Sequence, residues 1–141
     1  MTTHMDVSDE RLEVLSEDQC RELLASQELG RIAFPVGEVT EIFPVNYATD
    51  GLIVVFRTAP GTKLALVTVS RVSFEVDQWD AVTKVGWSVV LKGVAQEATA
   101  GIDPFSAALR ARNVQPVAPG EHDHWIAIYP SEITGRRFHR R

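Results

Sequence analysis

The chain carries a single cysteine, Cys20, among its 141 residues. That scarcity excludes an internal disulfide framework and a cysteine-based zinc site. Cys20 falls in a helical pattern, where a small buried apolar residue is the expected role. Long apolar runs are missing too. The longest, such as Leu52-Ile53-Val54-Val55-Phe56, fall far short of the ~20 residues that a membrane-spanning helix needs. Nor is there an excess of positive charge. The 14 Lys and Arg are outnumbered by 19 Asp and Glu, for a net charge of −5, which argues against a nucleic-acid-binding surface. Residues 1–10 are polar and acidic, with no apolar stretch behind a basic start. They read as neither a secretory nor a transit signal, so the cytoplasm is the expected compartment.

What is present describes an ordinary globular protein, 45% hydrophobic and 23% charged, long enough for one domain with one core. A polar segment over 1–14, one domain over 15–138 and a short basic tail over 139–141 divide the chain. Ser16-Glu17-Asp18-Gln19 opens a helix: Ser16 caps, Gln19 completes a capping box, and Leu15 staples onto Cys20. From Gly30 onward the pattern changes to strands, over 30–36, 41–49, 52–57, 72–77, 86–97 and 125–129. Asp50-Gly51 is the strongest hairpin signal. Thr62 to Val67 reads as a short helix or helical turn, 104–112 as another short helix, and 113–123 as a loop. Six strands joined mostly by hairpins, with few and short helices, predict a mainly β fold, an antiparallel barrel rather than a parallel βαβ sheet.

Three stretches can carry chemistry. Arg57-Thr58 leaves a strand apolar on both faces, and Lys63 follows across Pro60-Gly61. A planar two-donor guanidinium, a hydroxyl and a mobile ammonium suit one phosphate. If Thr62 and Lys63 begin a helix, its unpaired amides add positive character there. Two surface charges flanking a turn would give the same spacing. In residues 86–93, Trp87 offers a flat face beside the Ser88 hydroxyl, which suits a planar heteroaromatic ligand; a core tryptophan fits equally. Pro44-Val45-Asn46-Tyr47 adds an amide and a phenol, again with core packing as the alternative. The basic run Arg136, Arg137, Arg140 and Arg141 is either a solvated tail or, through Arg136 or Arg137, a contact to phosphate or carboxylate. His122-Asp123-His124 lacks a third ligand, so no metal site is expected. Asp77 and Asp80, around Trp79, could form an acid/base pair, and a β-turn of ordinary polar residues explains them as well; no catalytic residue is assigned.

In their joint order these stretches resemble the pyridoxamine 5′-phosphate oxidase-like flavin-binding split barrels. The strings that carry the likeness are Pro44-Val45-Asn46-Tyr47, Phe56-Arg57-Thr58-Ala59-Pro60-Gly61-Thr62-Lys63-Leu64, Val72-Ser73-Phe74-Glu75-Val76-Asp77 and Gly86-Trp87-Ser88-Val89-Val90-Leu91-Lys92-Gly93. The closing Tyr129-Pro130-Ser131-Glu132-Ile133-Thr134-Gly135-Arg136-Arg137-Phe138 is similar to the end of small actinobacterial members. The resemblance spans about residues 15–138 and implies a six-stranded split β-barrel. It also implies a homodimer with FMN, or a deazaflavin, in a groove between subunits. Arg57, Thr58 and Lys63 would hold the phosphate, with Thr62 in the same turn. Val45, Asn46 and Tyr47 would border the flavin ring, with Trp87 and Ser88 on the adjoining strand. Trp125 or the Arg136-Arg137 pair would reach in from the partner. The chain is shorter than the true oxidase and shows no counterpart of its substrate-phosphate grip, so the vitamin substrate is not carried over. Two functions stay open: a flavin- or deazaflavin-dependent oxidoreductase acting on a small molecule, and a non-catalytic module holding flavin or haem.

Overall fold

The computed structural model describes residues 10–59, 61–67, 70–97 and 124–140. The expected helix over 104–112, the loop over 113–123, and Pro60, His122 and Asp123 lie outside them. In chain order the elements are β1 (Glu10–Val14), α1 (Glu17–Ala25), β2 (Leu29–Val36), β3 (Val39–Asp50) and β4 (Ile53–Thr58). A 3-10 turn (Lys63–Val67), β5 (Ser70–Asp80), β6 (Val85–Glu97) and β7 (His124–Arg140) complete them.

All strand pairings are antiparallel, in the order β1-β7-β4-β3-β2-β5-β6, and β6 pairs back onto β7. Six strands, β2 to β7, therefore close a ring, which satisfies their edges and leaves β1 as an addition to one side. The first half of β7 lies between β4 and β6. Its second half runs on beside β6 and takes β1 on its other flank. This is the split barrel.

Two findings depart from the sequence expectation. Residues 10–14, placed in a polar leader, form strand β1 in register with 136–140 of β7. Strand β7 extends to Arg140 rather than ending at Tyr129, so the start of the basic tail is also in the sheet. Both gains come from backbone pairing rather than burial: Leu12 is 50% and Val14 79% exposed.

The alternation of β2, β5 and β6 sends Ile32, Phe34, Val72, Phe74, Val76, Val89 and Leu91 inward. Phe34, Phe56 and Phe74 are fully buried, each contributing roughly 1.5–3 kcal/mol of apolar burial. Helix α1 plugs the barrel with Cys20 and Leu24. The capping box is present: Gln19 N donates to Ser16 Oγ at 3.2 Å and Ser16 N to Gln19 Oε1 at 2.8 Å. The helix is tied to the barrel by Tyr47, whose hydroxyl donates to Leu24 O at 2.5 Å. Burial pushes the Tyr47 phenol and the Cys20 thiol up, so both stay protonated.

A second apolar cluster sits outside the ring, on β4 and β7. Val55, Trp125 and Ala127 are buried there, with Ala48, Ile53 and Tyr129 packed around them. No helix among the described residues is long and apolar enough to cross a membrane.

Candidate functional site

Because side chains alternate along a strand, Arg57 and Thr58 leave the end of β4 on opposite faces. Thr58 continues the inward series of Val54 and Phe56 and is 4% exposed. Arg57 continues the outward series of Val55. Its partner across the ladder is Trp125, and its guanidinium carbon sits 5.1 Å from the centroid of that indole. A cation over a tryptophan face is worth ~0.5–1 kcal/mol at such a half-exposed place.

Beyond Thr58 the chain turns sharply through Gly61, at φ +79°, a backbone conformation open to glycine at no steric cost. The turn brings Thr62 back onto Thr58, hydroxyl to hydroxyl at 3.3 Å. Thr62 also donates to Ala59 O at 2.8 Å and accepts from Ala65 N at 3.3 Å, which fixes the start of the 3-10 turn. Lys63 follows at once. Its ammonium is 3.0 Å from Glu41 Oε1, with the lysine side chain 65% and the glutamate 18% exposed. Two hydroxyls and an ammonium are thus held within one turn at the barrel end, with a carboxylate as the present partner of the cation. The Thr62 proton is given to Ala59 O, which leaves Thr58 as the donor in the Thr58–Thr62 contact. A phosphate would be met by turning these hydroxyls from their internal partners, while the ammonium offsets its charge.

The remaining candidates divide between inside and outside. Val45, Tyr47 and Trp87 are 3%, 5% and 7% exposed and belong to the core. Their side chains pack the barrel core. Asn46, by contrast, points outward and donates to Glu28 O at 3.1 Å. Ser88 pairs with Asp77 on one side and with the exposed Arg136 on the other. Asn46 pairs with Leu29, on the outward series of β2 that includes Arg31. Asn46, Ser88 and Arg136 therefore share the outer face of one sheet. Asn46 and Ser88 stand three strand spacings apart, about 14 Å. Arg137 meets Glu13 of β1 at 3.7 Å. The expected residues thus form two groups: Thr58, Thr62 and Lys63 at the end of β4, and Asn46, Ser88 and Arg136 on the outer face.

Sequence reasoning did not foresee an acidic cluster on that face. Arg31 of β2 pairs with Glu75 of β5, at 3.1 Å, and reaches Asp77 at 3.6 Å. Burial, then the hydrogen bond and charge of Asp77, push the Glu75 carboxyl up to about 7, and Arg31 opposes them. The signal was the alternation Arg71-x-Ser73-x-Glu75-x-Asp77, which puts four polar residues on one side of β5. No cluster of three or more His, Cys, Asp or Glu placed to hold a metal occurs among the described residues.

Comparison with known proteins agrees with this architecture. The pyridoxamine 5′-phosphate oxidase family model matches residues 16–137. The chain belongs to this family. The match takes in α1, β2 to β6, β7 as far as Arg137, and every candidate cofactor residue. A Mycobacterium tuberculosis relative, the uncharacterized protein Rv0080, is 33% identical over 129 residues, 87% of this chain and 83% of the relative. The FAD binding protein of Mycobacterium smegmatis superposes with a TM-score of 0.74 at 38% identity, over 89% of this chain and 98% of that one. An FAD-binding protein from Mesorhizobium loti has a TM-score of 0.74 over 92% of this chain and 98% of that one, at 20% identity. At that identity the likeness is one of fold.

Proposed function

We propose that the chain binds a flavin by its phosphate at the β4 turn and works as a flavin-dependent oxidoreductase on a small organic molecule. The observation that carries this reading is the turn itself, where the Thr58 and Thr62 hydroxyls meet and Lys63, next in the chain, carries an exposed ammonium with one carboxylate partner. The M. smegmatis relative of the same fold, an FAD binding protein, supports a flavin as the ligand. FMN is the form proposed, because this donor set suits a terminal phosphate. Arg57 stands one residue away and adds a fixed positive charge at the strand end. Asn46, Ser88 and Arg136, on an outer face, supply polar contacts to the ring or its surroundings across a homodimer interface. Such an interface also covers exposed apolar residues of β2 and β3, Leu29, Val39 and Ile42.

A bound flavin supplies the two-electron chemistry, and the side chains provide position, charge and exclusion of water. No side chain needs to serve as nucleophile. Thr58 and Thr62 orient the phosphate, and Lys63 exchanges its carboxylate partner for it.

The test is a spectral titration of the purified protein with FMN, a deazaflavin and haemin, with size exclusion run on the loaded sample. The reading predicts saturable FMN binding, bleaching by a reductant, recovery with an organic acceptor, and elution as a dimer. Preferential saturation by the deazaflavin moves the cofactor to that ring on the same fold. Saturation without turnover by any acceptor contradicts the enzyme and favours a holding module. Binding of none of the three overturns the proposal.

A further inference from the structure

The outer face of β2, β5 and β6 holds a groove of about 320 Å³ that includes Thr40, Arg71, Ser73, Lys92, Gly93 and Ser131 in its lining. Ser73 pairs with Ala33 of β2 on one side and Lys92 of β6 on the other, and Lys92 pairs in turn with Glu132. Arg71 lies two residues along β5 from Ser73, hence on the same face, diagonal to Lys92. Diagonal neighbours across an antiparallel pair are near enough for long side chains to share one ligand.

The concavity has a local cause. The β6–β7 ladder slips at Lys92/Gly93, a bulge, and bulges bend a strand and re-aim the side chain beside them. Gly93 makes the slip possible: a Cβ there would lie 2.1 Å from Tyr129 O and 2.9 Å from Pro130 Cα, both backbone. Ser131, just past the slip, donates its hydroxyl to Lys92 O at 3.1 Å and holds the bulge in place.

Charge is not balanced in the groove. Lys92 meets Glu132 loosely, at 3.8 Å with both side chains more than half exposed. No carboxylate pairs with Arg71 among the described residues. In a chain of net charge −5, the charged residues that line the groove, Arg71 and Lys92, are both basic and stand beside the hydroxyls of Ser73 and Thr40, a local reversal of sign; Glu132 and Glu75 lie outside the lining. The geometry points to an oxyanion site: we propose that this groove binds the phosphate or carboxylate of a small organic molecule, with Arg71 as the two-donor fork, Lys92 as the mobile charge and Ser73 between them. Its two cations stand on β5 and β6 rather than in the β4 turn, and the inference does not rest on the flavin reading.

The experiment is an amide chemical-shift titration of the full chain, once with inorganic phosphate and once with acetate, at constant ionic strength. Saturable shifts at Ser73 and Gly93 are expected, while amides near Thr62 report separately on the β4 turn. Arg71→Gln with Lys92→Gln weakens the saturation at Ser73 and Gly93 roughly tenfold or more. Lys84→Gln, which removes a hairpin charge elsewhere, leaves it as it was, and an unchanged amide spectrum shows that each variant is folded. Saturation by phosphate alone assigns a phosphate ester, and saturation by acetate alone assigns a carboxylate. Shifts that never saturate with either anion, or that persist unchanged in the double variant, overturn the site.

Discussion

At the Arg31 cluster one guanidinium serves two carboxylates, Glu75 and Asp77, within 3.6 Å. At the β4 turn one ammonium, Lys63, serves a single carboxylate, Glu41, and the Thr58 and Thr62 hydroxyls, which meet at 3.3 Å, precede it in the same turn. The first region carries more negative than positive charge; burial first, then Asp77, pushes the Glu75 carboxyl up to about 7, so protonation relieves part of the excess. The second is balanced, one ammonium against one carboxylate. A cation flanked by two acids on a sheet face is committed to structure, whereas one on an exposed side chain with one acid can change partner. The difference lies in the surroundings of the charge, and counting basic residues would not reveal it.

The largest effect on this comparison comes from relieving the crowded region. The Glu75 carboxyl stands at about 7 against its ordinary 4.5, so the folded chain holds that proton more tightly than the unfolded one. The stability it contributes is complete below pH 4.5, and it is lost as pH rises through about 7. Glu75→Gln keeps the hydrogen-bonding shape without the charge. Its stability in urea should exceed that of the parent by ~1 kcal/mol at mildly alkaline pH, allowing for the solvent that reaches the site. The gap should vanish near pH 4. A constant gap at both pH values would remove the proposed proton from Glu75.

A smaller effect is expected at the balanced region. Glu41→Gln releases Lys63 and removes a negative charge that opposes a phosphate. FMN should bind roughly two- to threefold more tightly, while stability changes by about 1 kcal/mol or less, as for a pair with one exposed partner. Fluorescence titration reads the first and urea denaturation the second. Weaker FMN binding would mean that Glu41 positions Lys63 rather than competing for it.

Much of this was legible in the sequence, for identifiable reasons. The Ser16/Gln19 capping box and the turn at Asp50-Gly51 are local signals, and both stand where they were read. The six ring strands carry inward apolar series that period-two alternation exposes. Strand β1 escaped because its Leu12 and Val14 are exposed; only the ladder to β7 makes it a strand. The second half of β7 escaped for the same reason, being rich in polar residues on its outward side. At the site, the turn from Thr58 to Lys63 was visible, but the separation of Arg57 from Thr58 follows from alternation that a spacing argument overlooks. The Lys63–Glu41 contact joins residues 22 apart in the chain, and the β2–β3 hairpin that delivers Glu41 is where that pairing is decided.

The central claim is that the β4 turn grips a phosphate, and a paired titration tests it most directly. FMN and riboflavin share a ring and differ in the phosphate, so their affinity ratio isolates the turn. In the parent chain FMN should bind at least ~30-fold more tightly than riboflavin, and in Thr58→Val with Lys63→Gln the ratio should fall close to one while riboflavin affinity holds. A double variant that folds normally and keeps the full FMN preference would contradict the account.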